Sequence, residues 1–206
     1  QVPGIILSDT AGGGLRTDIS YRGFDASPIG GRSQALAVYM DGIRINEAFG
    51  DTVHLDAIPA IAISDIAVVS SNPVFGLNAI GGAIAITMKD GFGFQGATID
   101  VMGGSFGRRQ IATEAGVRSG NFSAYAAGEY LAEDGFRDFS DADVKRMYTD
   151  LGFKNDTVEL HFSFNGAKSD AGVVAASPVE LLDLDWSRTF TSPQETDFEV
   201  LMPSLR

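Results

Sequence analysis

The chain has 206 residues, 44% of them apolar and 20% charged, with a net charge of −12. There are 20 aromatics, too much to bury for wholesale disorder, and the acidic balance with scattered Lys and Arg argues against a nucleic-acid partner. The absence of cysteine removes disulfides, thiolate nucleophiles and Cys-ligated metal centres together.

No window of 18 consecutive apolar residues marks a spanning helix, and the first eight residues lack the form of a signal peptide. With 25 glycines and 7 prolines, the composition suits short strands joined by tight turns, so the expected fold is mainly β. In chain order, Gly12-Gly13-Gly14 lacks the Lys-Ser/Thr of a phosphate loop and reads as a bend. Up to about residue 90 the pattern is dense, with short apolar runs such as 35–40 and 66–69 bounded by Gly, Asp and Ser. This predicts a compact domain of small buried strands. Gly23, after Arg22, and Gly42, after Asp41, stand where turns require positive φ, and Gly81-Gly82 permits a sharp bend before 83–87. Arg22 and Arg44 beside Asp41 supply charges for ion pairing.

After Asp90-Gly91 the texture changes to period two, the signature of a sheet with unlike faces. Val158, Leu160, Phe162 and Phe164 project to one side, and Thr157, Glu159, His161, Ser163 and Asn165 to the other. Strands are expected at 94–103, 108–117, 121–131, 145–153, 157–166 and 196–205, each about the 9 to 11 residues of a tilted membrane strand. After a brief first gap at 104–107, the connections run short, long, short, long, as when tight turns alternate with longer external loops. That brief first gap is the misfit, since it should be external.

Three early segments, Ile19-Ser20-Tyr21-Arg22-Gly23-Phe24, Val38-Tyr39-Met40-Asp41-Gly42-Ile43-Arg44 and the run 72–89 around Gly81-Gly82, resemble in order and spacing the plug domain of TonB-dependent outer-membrane receptors. Gly103-Gly104-Ser105-Phe106-Gly107-Arg108 and 134–140 look like the opening of the same family's barrel. The resemblance implies a partial α/β plug (1–90) followed by the first antiparallel strands of a transmembrane β-barrel (91–206, about six strands). A family barrel has about 22 strands, so the chain looks like a fragment. One departure stands out: where the family has a Glu-Arg-Ile-Glu-Val-like segment and Arg-Gly-Pro, this chain has Ser64-Asp65-Ile66-Ala67-Val68-Val69 and Asn72-Pro73, which puts the usual plug-to-barrel ion pairing in doubt.

As a member of that family the protein would lie in the Gram-negative outer membrane. It would bind and import a scarce nutrient such as an iron-siderophore complex, in contact with outer-membrane lipid. Uptake would be energised by TonB, the inner-membrane energy-coupling protein, whose box is not in this chain. The ligand surface expected on the plug is the loop Asn46-Glu47-Ala48-Phe49-Gly50-Asp51, where amide, carboxylate and ring stand together, with Arg32 at the end of 25–33 as a second candidate. Arg22, Gly23, Asp41, Gly42, Arg44, Gly81 and Gly82 are architectural. The acidic run Glu133, Asp134, Asp138, Asp141 and Asp143 lacks the calcium-loop spacing and reads as a solvated loop. Trp186 anchors at the membrane interface, covers the binding vestibule or packs within its loop. No enzyme motif accompanies His54 or His161, and no cofactor or metal is expected. The alternative is a secreted or surface β-rich, adhesin-like interaction module, in which the apolar strand face packs against a second sheet.

Overall fold

A computed structural model describes residues 4–9, 17–28, 34–70, 73–76, 79–173, 177–190 and 194–206. Internal contacts divide the chain into two units, Gln1–Asp56 with Ile63–Met88, and Ala57–Ala62 with Lys89–Arg206.

The first unit holds two small sheets. One is the antiparallel meander β1 (Ile5–Asp9), β2 (Thr17–Tyr21) and β3 (Phe24–Ala26). The other has β4 (Leu36–Met40), β5 (Ile43–Arg44), β6 (Ile63–Ser70) and β7 (Gly82–Met88) in the order β5-β4-β7-β6. The pairing of β4 with β7 is parallel, so the chain must cross over between them, and it does so through β5, short 3₁₀ turns and β6. The α component expected here reduces to such turns among the described residues of this unit. Leu36, Val38 and Ile84 are fully buried at the centre of the sheet, flanked by the small residues Ala37 and Ala83.

The β2–β3 and β4–β5 connections are both two-residue turns with positive φ at both positions, Arg22 (54°) with Gly23 (83°) and Asp41 (50°) with Gly42 (82°). This is the φ signature of the type I′ hairpin, whose twist matches that of the strands it joins.

The second unit is built on one antiparallel sheet of six strands in sequence order. These are β8 (Gly96–Gly103), β9 (Arg109–Ser119), β10 (Phe122–Glu133), β11 (Ala142–Lys154), β12 (Glu159–Val173) and β13 (Gln194–Leu205). It is an open sheet, with β8 and β13 each paired on one side only. Its faces are unlike in the manner that period two predicts. Ile99, Val101, Ile111, Val117, Phe122, Met147, Leu151, Leu160, Phe162 and Leu201 are exposed on one face, Leu151 at 57% and Phe162 at 51%. The opposite face buries Glu114, Tyr125, Glu129, Tyr148, Asp150, His161, Ser163 and Asn165. The interaction-module alternative requires these residues to be packed, and they are exposed. A water-soluble sheet reverses this arrangement. From Ile111 to Val117 on β9, at ~3.3 Å per residue, the outward band runs roughly 20 Å before tilt, somewhat short of the about 25 Å apolar band of an outer-membrane barrel.

Two turns, 120–121 and 155–158, lie at one edge of this sheet, and 104–108, 134–141 and the connection from β12 to β13 lie at the other. The brief connection 104–108 shares its edge with the longer loops: the Asp134 N–H donates to the Phe106 carbonyl at 2.9 Å and the Phe106 and Phe136 rings meet edge-on at 5.3 Å. The 3₁₀ content of this unit includes Ala60–Ala62, and its one α-helical turn among the described residues is α1 (Val179–Leu182). No helix of the described residues is long and apolar enough to cross a membrane, which leaves crossing by strands untouched.

Candidate functional site

The loop after β5 is shaped by an edge strand that ends early. β5 pairs with β4 over only two residues, so the remaining backbone groups at this edge of β4 need other partners. The Ile45 N–H donates to the Val38 carbonyl at 2.9 Å, and Asn46 takes over from there. Its Oδ1 accepts the Val38 N–H at 2.8 Å, and its Nδ2 donates to the Leu36 carbonyl at 3.0 Å and more weakly to the Asp51 carbonyl at 3.4 Å. The Asn46 amide therefore completes the sheet edge and is turned into the fold.

Arg44 closes the same knot, with Nε donating to Asn46 Oδ1 at 3.1 Å and Nη2 to Asp51 Oδ1 at 3.0 Å. The ion pairing expected for Arg44 is thus made to Asp51. Asp41 instead accepts the Met88 N–H on Oδ1 at 3.0 Å, while its own N–H donates to the Ile86 carbonyl at 2.9 Å, fastening the hairpin turn to β7. Arg22 lies over the ring of its neighbour Tyr21, 5.0 Å from the centroid.

At the neck of the loop the Glu47 N–H donates to the Thr52 carbonyl at 2.9 Å and the Thr52 hydroxyl to Glu47 Oε2 at 2.5 Å. His54 lies between Glu47 (3.4 Å) and Asp56 (3.6 Å), and Val53, fully buried, fixes the base by donating to the Ser27 carbonyl. The chain reverses through Gly50 (φ 85°) and Asp51 (φ 53°), which leaves Phe49 94% exposed at the tip. A fully exposed ring on a cross-braced loop, beside the half-exposed Glu47 carboxylate, suits a ligand with a flat apolar surface and hydrogen-bond donors. Arg32 and Gly12-Gly13-Gly14 lie outside the described residues.

Gly81 and Gly82 are required by close approach as well as by bending. A Cβ on Gly81 would stand 2.5 Å from Phe24 Cβ, and one on Gly82 would stand 2.4 Å from the Val69 carbonyl oxygen, at a φ of 133°. By contrast Gly23 and Gly42 have open space around them and serve their turns through φ alone.

In the second unit the buried polar face grips the segment 57–62 by its backbone. Glu129 Oε2 accepts the Ala60 N–H at 3.2 Å, at the start of a 3₁₀ turn whose first N–H groups have no internal partner. Its Oε1 is held by Arg146 Nη1 at 2.5 Å and by Gln110 Nε2 at 3.1 Å, so the carboxylate is charge-compensated where it is buried. Asn165 Nδ2 donates to the Ala57 carbonyl at 3.2 Å. Glu114 receives Lys89 Nζ at 2.8 Å and the Tyr125 hydroxyl at 2.7 Å, and His161 Nδ1 lies 2.9 Å from Asp150 with Phe92 edge-on at 5.9 Å. The sequence reading places Asn165 on the polar face of its strand but assigns no role to it, nor to Glu114, Glu129 and Arg146. Their signal is that they are polar residues at inward positions of strands whose outward positions are apolar.

In the acidic run, Glu133 pairs with Arg108 at 3.0 Å, and Asp143 pairs with Lys145 at 2.9 Å and accepts the Tyr130 hydroxyl at 2.8 Å. No cluster suited to a metal ion occurs among the described residues. In the loop carrying the exposed Trp186, the Ser187 hydroxyl and N–H both donate to Asp185, which holds that carboxyl below the usual range.

Residues 1–83 match the family model of the TonB-dependent receptor plug domain, so this part of the chain is a plug domain of that family. Among curated proteins the chain is 27% identical over 176 residues to the vitamin B12 transporter BtuB of Vibrio vulnificus, covering 82% of this chain and 26% of that one. Among solved structures it resembles the ferric yersiniabactin uptake receptor FyuA from Yersinia pestis (TM-score 0.70, 16% identity, 99% of this chain and 33% of that one). It also resembles the ferric citrate transporter FecA (TM-score 0.69, 14% identity, 92% and 30%). The chain thus spans about a quarter to a third of the length of these relatives.

Proposed function

We propose that residues 1–90 act as plug and 91–206 as the first barrel strands of an outer-membrane active transporter. The cargo is a scarce small nutrient, with an iron-siderophore complex as the leading class. The relatives are named for vitamin B12, ferric citrate, ferric yersiniabactin and copper, which share the character of scarce cofactors or metal chelates. The work is binding followed by conformational release driven by TonB, with no covalent step.

The observation that carries this reading is the reversed sheet: apolar residues outward and exposed, charged and hydrogen-bonded residues inward around 57–62. Such a sheet is stable where lipid replaces water on one side and the inner side encloses polar groups. The ligand contact is assigned to the 46–51 loop, chiefly Phe49 and Glu47. Asn46, Arg44 and Asp51 hold that loop in shape, and Arg32 remains the second candidate. The test is uptake and binding of labelled ferric-siderophore and cobalamin panels by cells expressing the receptor, with and without TonB. Saturable binding of one class, with uptake lost on removing TonB, is expected. Uptake independent of TonB contradicts the proposal.

A further inference from the structure

The outward face of the sheet changes character in steps along the strands. Cross-strand register defines an apolar row through Ile99, Thr113, Gly128, Met147, Gly166 and Leu201. The next row toward the loop edge, about 6.6 Å further, contains Tyr130, Lys145, Lys168 and Glu199 in direct register. The row beyond carries Asp143, Asp170 and Asp197.

Lys145 and Lys168 are directly opposed on the same face of adjacent strands, an arrangement unfavourable by itself because like charges face each other a few ångströms apart. Lys145 contacts Asp143 at 2.9 Å and its ammonium lies 5.6 Å from the Tyr130 ring centroid, and both lysines are exposed. On its other side Lys168 is directly opposed by Glu199 in the same row. Lys145, Lys168 and Glu199 line, with Met147, Gly166 and Leu201, a depression of about 230 Å³. Nearer the turn edge, small residues including Ala115, Ala124 and Ala126 leave a second, apolar hollow of about 430 Å³.

We infer that Lys145 and Lys168 form a binding site for the phosphate of a membrane lipid, with an acyl chain lying over the exposed Met147 and Leu201. An anion between the two ammoniums replaces their repulsion by two charge-assisted contacts. The depth is that of a headgroup, at the top of an apolar band and next to a tyrosine that marks the interface. The order of rows selects a lipid over a free anion. A soluble phosphate arriving from water meets Asp143, Asp170 and Asp197 first, whereas a lipid reaches the lysines along the apolar groove. Gly128 adds no side chain to this row, whereas Phe164, Leu201 and Met147 close over Gly166, within 3.2, 3.3 and 3.4 Å of where its Cβ would stand. The inference rests on the reading that this face looks into lipid.

The test uses native mass spectrometry of the full chain in mild detergent, titrated with dimyristoyl phosphatidic acid and with the dimyristoylglycerol that lacks only the phosphate. Retention of the phosphate lipid is expected to exceed that of the glyceride. It should fall about tenfold or more in Lys145→Gln/Lys168→Gln, since each lysine near an anionic headgroup contributes on the order of one kcal/mol. Lys154→Gln, at the other edge of the sheet, should leave it unchanged. Equal retention of both lipids, an unaffected double variant, or displacement of the lipid by millimolar inorganic phosphate would overturn the inference. Oxygen accessibility of a nitroxide at Leu151→Cys separates the two levels: a label in lipid with an unaffected double variant sinks this site alone, and a label in water sinks the lipid-facing reading beneath it.

Discussion

Asn46 and Phe49 stand three residues apart and do opposite things. Asn46 is a substitute for strand backbone, so Asn46→Ala leaves the Val38 N–H and Leu36 carbonyl without these partners and should cost about 1–3 kcal/mol of stability, read as a lowered denaturation midpoint. Phe49→Ala removes a ring that touches water, so stability should hold. Ligand affinity should fall by up to about tenfold, the scale of one aromatic contact. Loss of stability without loss of binding in Phe49→Ala would remove the loop from the ligand surface. The glycines separate in the same way. Gly82→Ala places a Cβ against the Val69 carbonyl at an unfavourable φ and should cost more than 2 kcal/mol, whereas Gly23→Ala meets open space and should cost about 1 kcal/mol. Equal midpoints for the two variants would contradict the close-approach account. Of these roles, Phe49 is legible from composition alone, as an aromatic in a polar loop. The role of Asn46 is not, because its partners lie 8 and 10 residues upstream and depend on β5 ending after two residues.

At the scale of elements, the strands of the second unit are readable because their two faces carry unlike residues. The expected strands 108–117 and 121–131 correspond to Arg109–Ser119 and Phe122–Glu133. The largest differences fall at the loop-side ends of β11 and β12, expected at 145–153 and 157–166 and found at Ala142–Lys154 and Glu159–Val173. There the outward positions become Lys145, Asp143, Lys168 and Asp170 while Ala142, Val144, Ala167 and Ala171 turn inward and are buried, so the apolar-polar alternation changes phase while the backbone ladder continues. Periodicity reports the change of solvent, and hydrogen bonding reports the strand. The missing charges of the 64–73 segment are a related case: segment 57–62 is fastened to the sheet through its backbone, by Glu129 and Asn165, which no charge pattern in the segment itself announces. Glu129→Ala should uncouple that anchor and remove the ion pair to Arg146, costing about 1–3 kcal/mol, with faster hydrogen exchange at the Ala60 amide. Unchanged exchange at Ala60 would mean that the carboxylate does not hold the turn.

For the molecule as a whole, the account depends on which solvent each face of the six-stranded sheet meets. Leu151→Arg on the outward face should destabilise the membrane-inserted protein by about 2–4 kcal/mol if it sits near mid-bilayer. The same substitution at a rim position such as Lys154 should be nearly silent. The substrate is not legible in the chain, which spans about a quarter to a third of the length of the relatives it matches. The most direct test of the central claim exploits the absence of cysteine: single cysteines at 158–165, one at a time, labelled with a nitroxide in reconstituted bilayers. Oxygen collision should be high at Val158, Leu160, Phe162 and Phe164 and low at Glu159, His161, Ser163 and Asn165. A flat profile, or water-borne nickel chelate reaching the even positions, would contradict it.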